Sequence, residues 1–180
     1  MKKIGLFYGS STAKTAAVAQ KLKEAFHDVQ VDIIPVENSG EADFEAYDYI
    51  IAGSSTWFDG ELPTYWDEIM PVITSADLKG KKVAVFGLGD QVKYPDNFVD
   101  AIGYLAEAFV NRGAILIGYT SAEGYSFNQS QALKKGMFMG LALDIENQPD
   151  KTDERIKKWV DQLKSEFEKD ISSADNSFNC

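Results

Sequence analysis

Three short apolar runs that do not alternate constrain this chain more than any other feature. They are Lys3-Ile4-Gly5-Leu6-Phe7-Tyr8, Asp48-Tyr49-Ile50-Ile51-Ala52-Gly53 and Lys82-Val83-Ala84-Val85-Phe86-Gly87. A strand with one wet face alternates apolar and polar residues. A strand covered on both faces does not, and the usual cover is a layer of helices on each side of a parallel sheet. Helical patterns lie between the runs. Residues 13–26 place Ala16, Ala17, Ala19, Leu22 and Phe26 on a packed face. A helix over 64–73 has Pro63 near its first turn and Pro71 inside, where it should kink or end. A helix over 96–111 stops at Gly113, and a charged amphipathic one spans 153–168. Further strands fit 29–36 and 114–119, and 139–143 is another short apolar run.

Strands that alternate with helices give an α/β, doubly wound single-domain fold. The segment 120–138 is too polar and glycine-bearing for a central element, so it reads as a surface insertion that splits the fifth strand. Residues 1–170 are expected to form the domain, and 171–180 a disordered tail. The 180-residue length fits one domain, which can bury roughly 70% of its unfolded surface without a staple. Cys180 is the only cysteine, so no intramolecular disulfide is possible and cysteine-based zinc or iron–sulfur sites are excluded. The N-terminus runs straight into a strand, with no signal-like region, and no stretch approaches the ~18 apolar residues of a membrane span. The expectation is a cytoplasmic protein that does not engage membrane.

Net charge is −10, which argues against nucleic acid as a partner. The charge is concentrated. Twelve acids and no Lys or Arg lie between Asp28 and Leu78, whereas the rest of the chain is close to balance. Such a block is either a solvated face that maintains solubility or a docking surface for a basic partner. Composition does not separate the two readings.

In open parallel sheets, ligands bind beyond the carboxyl ends of the strands, where the strand order reverses. After the first strand, Ser10, Ser11, Thr12 and Thr15 crowd a helix N-terminus, where backbone N–H groups are unpaired and the dipole is positive. One N-cap accounts for one hydroxyl, so four favour a phosphate site. Ala13 stands where a P-loop needs its second glycine, and no Gly-x-Gly-x-x-Gly is present, so a triphosphate and a dinucleotide are both disfavoured. The loops after the third and fourth strands carry Trp57 and Tyr94. A single aromatic there would be a core plug, but two beside a monophosphate site can sandwich a flat ring, with Asp90 accepting a ring N–H between them. A planar ring with an imide-like N–H, a polar linker and one phosphate describes flavin mononucleotide (FMN).

The run Leu6-Phe7-Tyr8-Gly9-Ser10-Ser11-Thr12-Ala13-Lys14-Thr15, with Ala19 and Leu22, resembles the flavodoxin N-terminal signature. Gly87-Leu88-Gly89-Asp90-Gln91, followed by Tyr94-Pro95 and Asn97-Phe98, resembles the second flavin loop. Gly124-Tyr125, Phe127, Gly140-Leu141-Ala142-Leu143-Asp144 and Thr152-Asp153-Glu154-Arg155-Ile156 resemble the rest of a long-chain flavodoxin. The resemblance covers residues 3–167. It implies a five-stranded parallel sheet in the order 2-1-3-4-5, with helices on both faces and the fifth strand split.

It further implies that Ser10, Thr12 and Thr15 bind the phosphate together with the backbone of Ser11, Ala13, Lys14 and Thr15. Ser55, Thr56, Trp57, Phe58, Asp59 and Gly60 would form one flavin loop, with Thr56 and Trp57 on one ring face and the Phe58–Asp59 peptide near N5. Gly89, Asp90, Tyr94, Asn97 and Phe98 would form the other, with Tyr94 on the opposite face and Asp90 receiving the ring N3–H. Phe58 and Asp59 replace the smaller or neutral residues common in relatives, and Glu146 stands where Asp is common near the ribityl chain. The implied function is a low-potential one-electron carrier that shuttles between semiquinone and hydroquinone, with no catalytic residue and no metal. Its partners would be basic-surfaced redox proteins, a ferredoxin/flavodoxin reductase and an acceptor enzyme, and the carrier itself would be a monomer. Two other classes compete. A flavin-dependent NAD(P)H quinone reductase needs a nicotinamide site that is not visible. A phosphorelay receiver needs acids after the first strand and a phosphoacceptor Asp after the third, where Gly9 to Ser11 and Ser54 to Thr56 stand.

Overall fold

The structure is a computed structural model that describes residues 2–9, 12–56 and 60–169. Ser10, Ser11, Trp57, Phe58 and Asp59 among the expected site residues, and the expected tail, lie outside the described residues. Strands β1 (Ile4–Tyr8), β2 (Val31–Pro35), β3 (Tyr49–Ser55), β4 (Lys82–Leu88) and β5 (Ile115–Ile117) form a parallel sheet in the order β2-β1-β3-β4-β5. The fifth position is filled twice. β5 pairs with Lys82 to Ala84, the first half of β4, while β9 (Leu141–Leu143) pairs in parallel with Phe86 to Leu88, its second half. The split fifth strand expected from the sequence is therefore what the chain forms.

Each strand sends alternate residues to opposite layers. In β3, Ile50 and Ala52 join a core under α2 (Glu41–Glu45), α3 (Thr64–Ser75) and α4 (Asp100–Val110). Tyr49 and Ile51 face the other way, toward α1 (Ala13–Ala25) and α5 (Thr152–Glu168), with Val18, Leu22, Trp159 and Leu163. Both layers are dry, which accounts for the lack of alternation in the sequence.

Several expectations are corrected. The buried stripe of α1 is Thr15, Val18, Ala19 and Leu22, continued by Phe26, whereas Ala17 is exposed. The spacing follows the 3.6-residue period more closely than the alanines do. α3 runs through Pro71 to Ser75, because Pro71 is on the exposed side and forfeits only one N–H bond, whose acceptor faces water. α4 begins at Asp100 rather than 96. The preceding stretch is held by the insertion, with the Phe98 N–H donating to Gln129 O at 3.3 Å and Pro95 O accepting from Asn128 and Gln129. The insertion has its own small antiparallel sheet of β6 (Thr120–Ser121), β7 (Leu133–Lys134) and β8 (Met137–Phe138). A two-residue turn at Lys135 and Gly136, both with positive φ, joins β7 to β8.

Candidate functional site

A cleft of about 770 Å³ opens at the carboxyl ends of the strands, within the roughly 300–1,000 Å³ range of small-molecule sites. One wall is the start of α1: Thr12, Ala13, Lys14 and Thr15. Its back is Ser55 and Thr56, at the end of β3, and Leu88 at the end of β4. The other wall is Gly89, Asp90, Lys93 and Tyr94, and the rim is Ile145 and Glu146. The cleft thus lies between β1 and β3, the point where the strand order turns back.

Thr12 occupies the N-cap of α1 but makes no cap bond there. Its hydroxyl donates instead to Thr15 Oγ1 at 2.7 Å, and Thr15 is fully buried. Among the described residues, no side chain caps the N–H groups of this helix start, and beside them the Thr12 hydroxyl is bonded to that of Thr15. No acid lies in the first turn to offset the dipole. Ser55 Oγ is buried and has no hydrogen-bond partner among the described residues. An orphaned hydroxyl on the back wall, an uncapped helix start and an aromatic on the far wall suit a ligand with a phosphate, polar linker atoms and a flat ring.

Thr56 is turned to structural use. Its Oγ1 accepts the Ala101 N–H at 3.1 Å and so caps α4 from another loop, because the residue at the cap, Val99, lies at φ 49° and has no side-chain oxygen. Gly60 has φ +94°, and a Cβ there would lie 2.5 Å from Asp100 Oδ2 and 2.9 Å from Asn97 Nδ2. Only glycine fits, and the end of the third-strand loop is seated on Asn97 and Asp100. Asp100 is almost fully buried; its Oδ1 accepts the Gln131 N–H at 2.7 Å and its Oδ2 accepts Asn97 Nδ2 at 3.3 Å. Burial raises its pKa, and these two bonds only partly oppose that.

Asp90 differs. Desolvation pushes its carboxyl up, but backbone N–H donors of Lys93 (2.8 Å) and Val92 (3.1 Å) and Asn147 Nδ2 (2.7 Å) act the other way on Oδ1, and the net shift is downward. Tyr94 is half-buried, with Lys93 Nζ 5.5 Å from its ring centre. Lys14 and Glu146 form an exposed ion pair across the cleft between its first wall and its rim. At the surface such a pair is worth at most about 1 kcal/mol.

Of the expected site residues, Thr12, Ala13, Lys14, Thr15, Ser55, Thr56, Gly89, Asp90 and Tyr94 line one cleft. Gly60 and Asn97 pack against each other and are not part of the lining, and Phe98 is a buried core residue against Phe127, Phe138 and Tyr125. Leu88, Lys93 and Ile145 line the cleft without having been expected there. Their only sequence signal is position, immediately after an apolar run or inside a loop already suspected.

The family model for flavodoxin matches residues 6–159. The chain belongs to the flavodoxin family. A flavodoxin of Nostoc sp. is 49% identical over 166 residues, which are 92% of this chain and 98% of the relative. One from Synechococcus elongatus is 48% identical over 168 residues, covering 93% and 99%. Among solved structures, a Fusobacterium nucleatum flavodoxin bound to flavin mononucleotide superposes with a TM-score of 0.89 at 32% identity, over 93% of this chain and all of that one. The split fifth strand makes this a flavodoxin of the long-chain kind. Among the described residues, no helix is long and apolar enough to cross a membrane.

Proposed function

We infer that this flavodoxin binds FMN in the cleft and carries electrons between redox enzymes one at a time. The observation that carries the reading is the convergence, in a single cleft, of an uncapped helix start, an orphaned back-wall hydroxyl and a half-buried tyrosine. Thr12, Thr15 and the N–H groups of Ala13, Lys14 and Thr15 would hold the phosphate, with Ser10 and Ser11 completing the turn. Ser55 Oγ has unused capacity toward the polar linker, and Tyr94 would cover one ring face, with Trp57 expected on the other. FMN, when bound, supplies a ring that takes up and releases electrons singly. The protein need only hold that ring, exclude water from its faces and set the surrounding charge. Asp90, kept ionised by three donors, contributes negative charge at the ring wall and disfavours a further negative charge there. Residues 1–170 are read as the FMN-binding domain of a cytoplasmic monomer.

Two groups stand apart within the acidic block. Asp28 pairs with Lys164, Asp32 with Lys3 and Asp48 with Lys2, all at the amino ends of the strands and away from the cleft. Glu61, Asp67 and Glu68 follow the third-strand loop at the cleft end, are exposed and make no ion pair among the described residues. This cleft-end group is the candidate docking surface for basic partners such as a ferredoxin/flavodoxin reductase and an acceptor enzyme; such interfaces are small and short-lived. Purified protein titrated anaerobically with a reductant should show two separate one-electron steps, with a long-wavelength visible band between them. A single two-electron step, or NAD(P)H-driven quinone reduction by the protein alone, would place it with the reductases instead.

A further inference from the structure

Asp144 is completely buried at the end of β9, and among the described residues it makes no ion pair. A lone carboxylate in a dry interior is costly unless hydrogen bonds replace its water. Here they do. Oδ2 accepts the Gln91 backbone N–H at 3.1 Å, Gln91 Nε2 at 2.7 Å and Asn147 Nδ2 at 2.9 Å. Oδ1 accepts the Asn147 backbone N–H at 3.0 Å and lies 3.1 Å from Asn147 Nδ2.

Both donors reach onward. Asn147 Nδ2 also donates to Asp90 Oδ1 at 2.7 Å, so one amide bridges a buried carboxylate and the carboxylate on the cleft wall. Gln91 is nearly buried, and its Oε1 accepts the Ser126 N–H of the insertion at 2.6 Å. The amide of Gln91 is therefore used at both ends, once on Asp144 and once on the insertion. The Asp90–Tyr94 turn is thereby fixed from behind by two side chains that do not themselves line the cleft.

We propose that Asp144, through Gln91 and Asn147, is the positioning residue for the cleft wall formed by Asp90 and Tyr94, and that it sets how tightly and at what potential the ring end of the cofactor is held. A hydrophobic residue at 144 would fill the same space but take the shared acceptor from the backbone N–H groups of Gln91 and Asn147 and from both their side-chain amides. The inference rests on the FMN reading, and it assigns the network to the ring end, not the phosphate end. That is a specific claim, because the phosphate turn at Thr12 and Thr15 shares no hydrogen bond with this network among the described residues.

The test uses apoprotein titrated separately with FMN and with riboflavin, which lacks the phosphate. Asn147→Ala changes an exposed side chain and should leave the fold intact; Gln91→Met and Asp144→Asn are the second and third variants. For Asn147→Ala, both dissociation constants should rise by the same factor, on the order of tenfold. The apoprotein melting temperature should stay close to that of the wild type, and the midpoint potential of the second electron step should move. Unchanged constants for both ligands, a loss confined to FMN, or unchanged potentials in all three variants would overturn the proposal. If wild-type apoprotein takes up neither ligand, the FMN reading itself is wrong, and that failure is separate from the others.

Discussion

At the start of α1 the two described hydroxyls stay within one helical turn, Thr12 bonded to Thr15 three residues away. The loop after β4 is built differently. Its ties run from Gln91 to Asp144 and Ser126, from Asp90 to Asn147 and from Asp96 to Asn128, across separations of 32 to 57 residues. The first wall needs only a helix and its own hydroxyls, whereas the second needs the insertion and the β9 end to arrive before it has a shape. Local walls should respond to mutation in ligand affinity alone. A cross-braced wall should lose stability as well when a buried part of its brace is disturbed.

The largest expected effect breaks the brace. In α4, a Cβ at Gly103 would lie 2.1 Å from the backbone oxygen of Gln131 in the insertion, where neither partner can rotate away. Gly103→Ala should cost roughly 3 kcal/mol, read as a lower urea midpoint. An unchanged midpoint would mean that the insertion yields freely and is no brace. Next in size is Thr15→Val, which keeps the shape of the local wall and removes its buried hydroxyl. Losing a hydrogen bond to a charged group costs roughly 1.5–3 kcal/mol, so the FMN dissociation constant should rise roughly ten- to hundredfold. Riboflavin affinity and apoprotein stability should hold steady. Equal losses for the two ligands would erase the distinction between the walls.

The smallest effect is one of pH. Because burial raises the folded-state pKa of Asp100 above its ordinary 3.8, the folded state holds that proton more tightly than the unfolded one. Its contribution is fully present below about 3.8 and is lost as pH rises through the raised value. Asp90, with a lowered pKa, has the opposite sign and gives stability that disappears only on acidification. Asp100→Asn should therefore be relatively more stable than wild type at neutral pH, with the advantage vanishing at low pH, provided Asn97 turns its amide to face the new group. Melting temperatures measured from pH 3 to 7 read this directly. A constant offset across that range would show that Asp100 does not titrate differently in the folded protein.

The same contrast explains what the sequence made legible. The sheet order and the split fifth strand follow from apolar runs and one polar interruption, which are local patterns. The hydroxyl-rich turn was legible for the same reason: four hydroxyls fall at one helix start in the sequence. Phe98 was placed at the site because it lies inside a flavin-loop motif, yet its ring is taken up by Phe127 and Phe138 of the insertion. Position in a motif does not report which way a side chain is pulled by residues thirty positions away. Asp144 and Asn147 stayed hidden because a buried carboxylate with only N–H donors looks, in sequence, like any acid in a loop. The acidic block is continuous along the chain, yet Asp28, Asp32 and Asp48 are paired in space with Lys164, Lys3 and Lys2, partners that only the fold brings near.

The doubled occupancy beside β4 bears on how the chain assembles. β5 covers only the first half of that strand, so during synthesis Phe86 to Leu88 presents bare ladder groups until the whole insertion has been made and β9 docks. An apolar, unpaired rim of that kind is a template for intermolecular pairing. Nascent or truncated chains that end before Leu141 should therefore be the ones that clump, and a segment that braces the loop after β4 also serves as the stopper that seals the sheet.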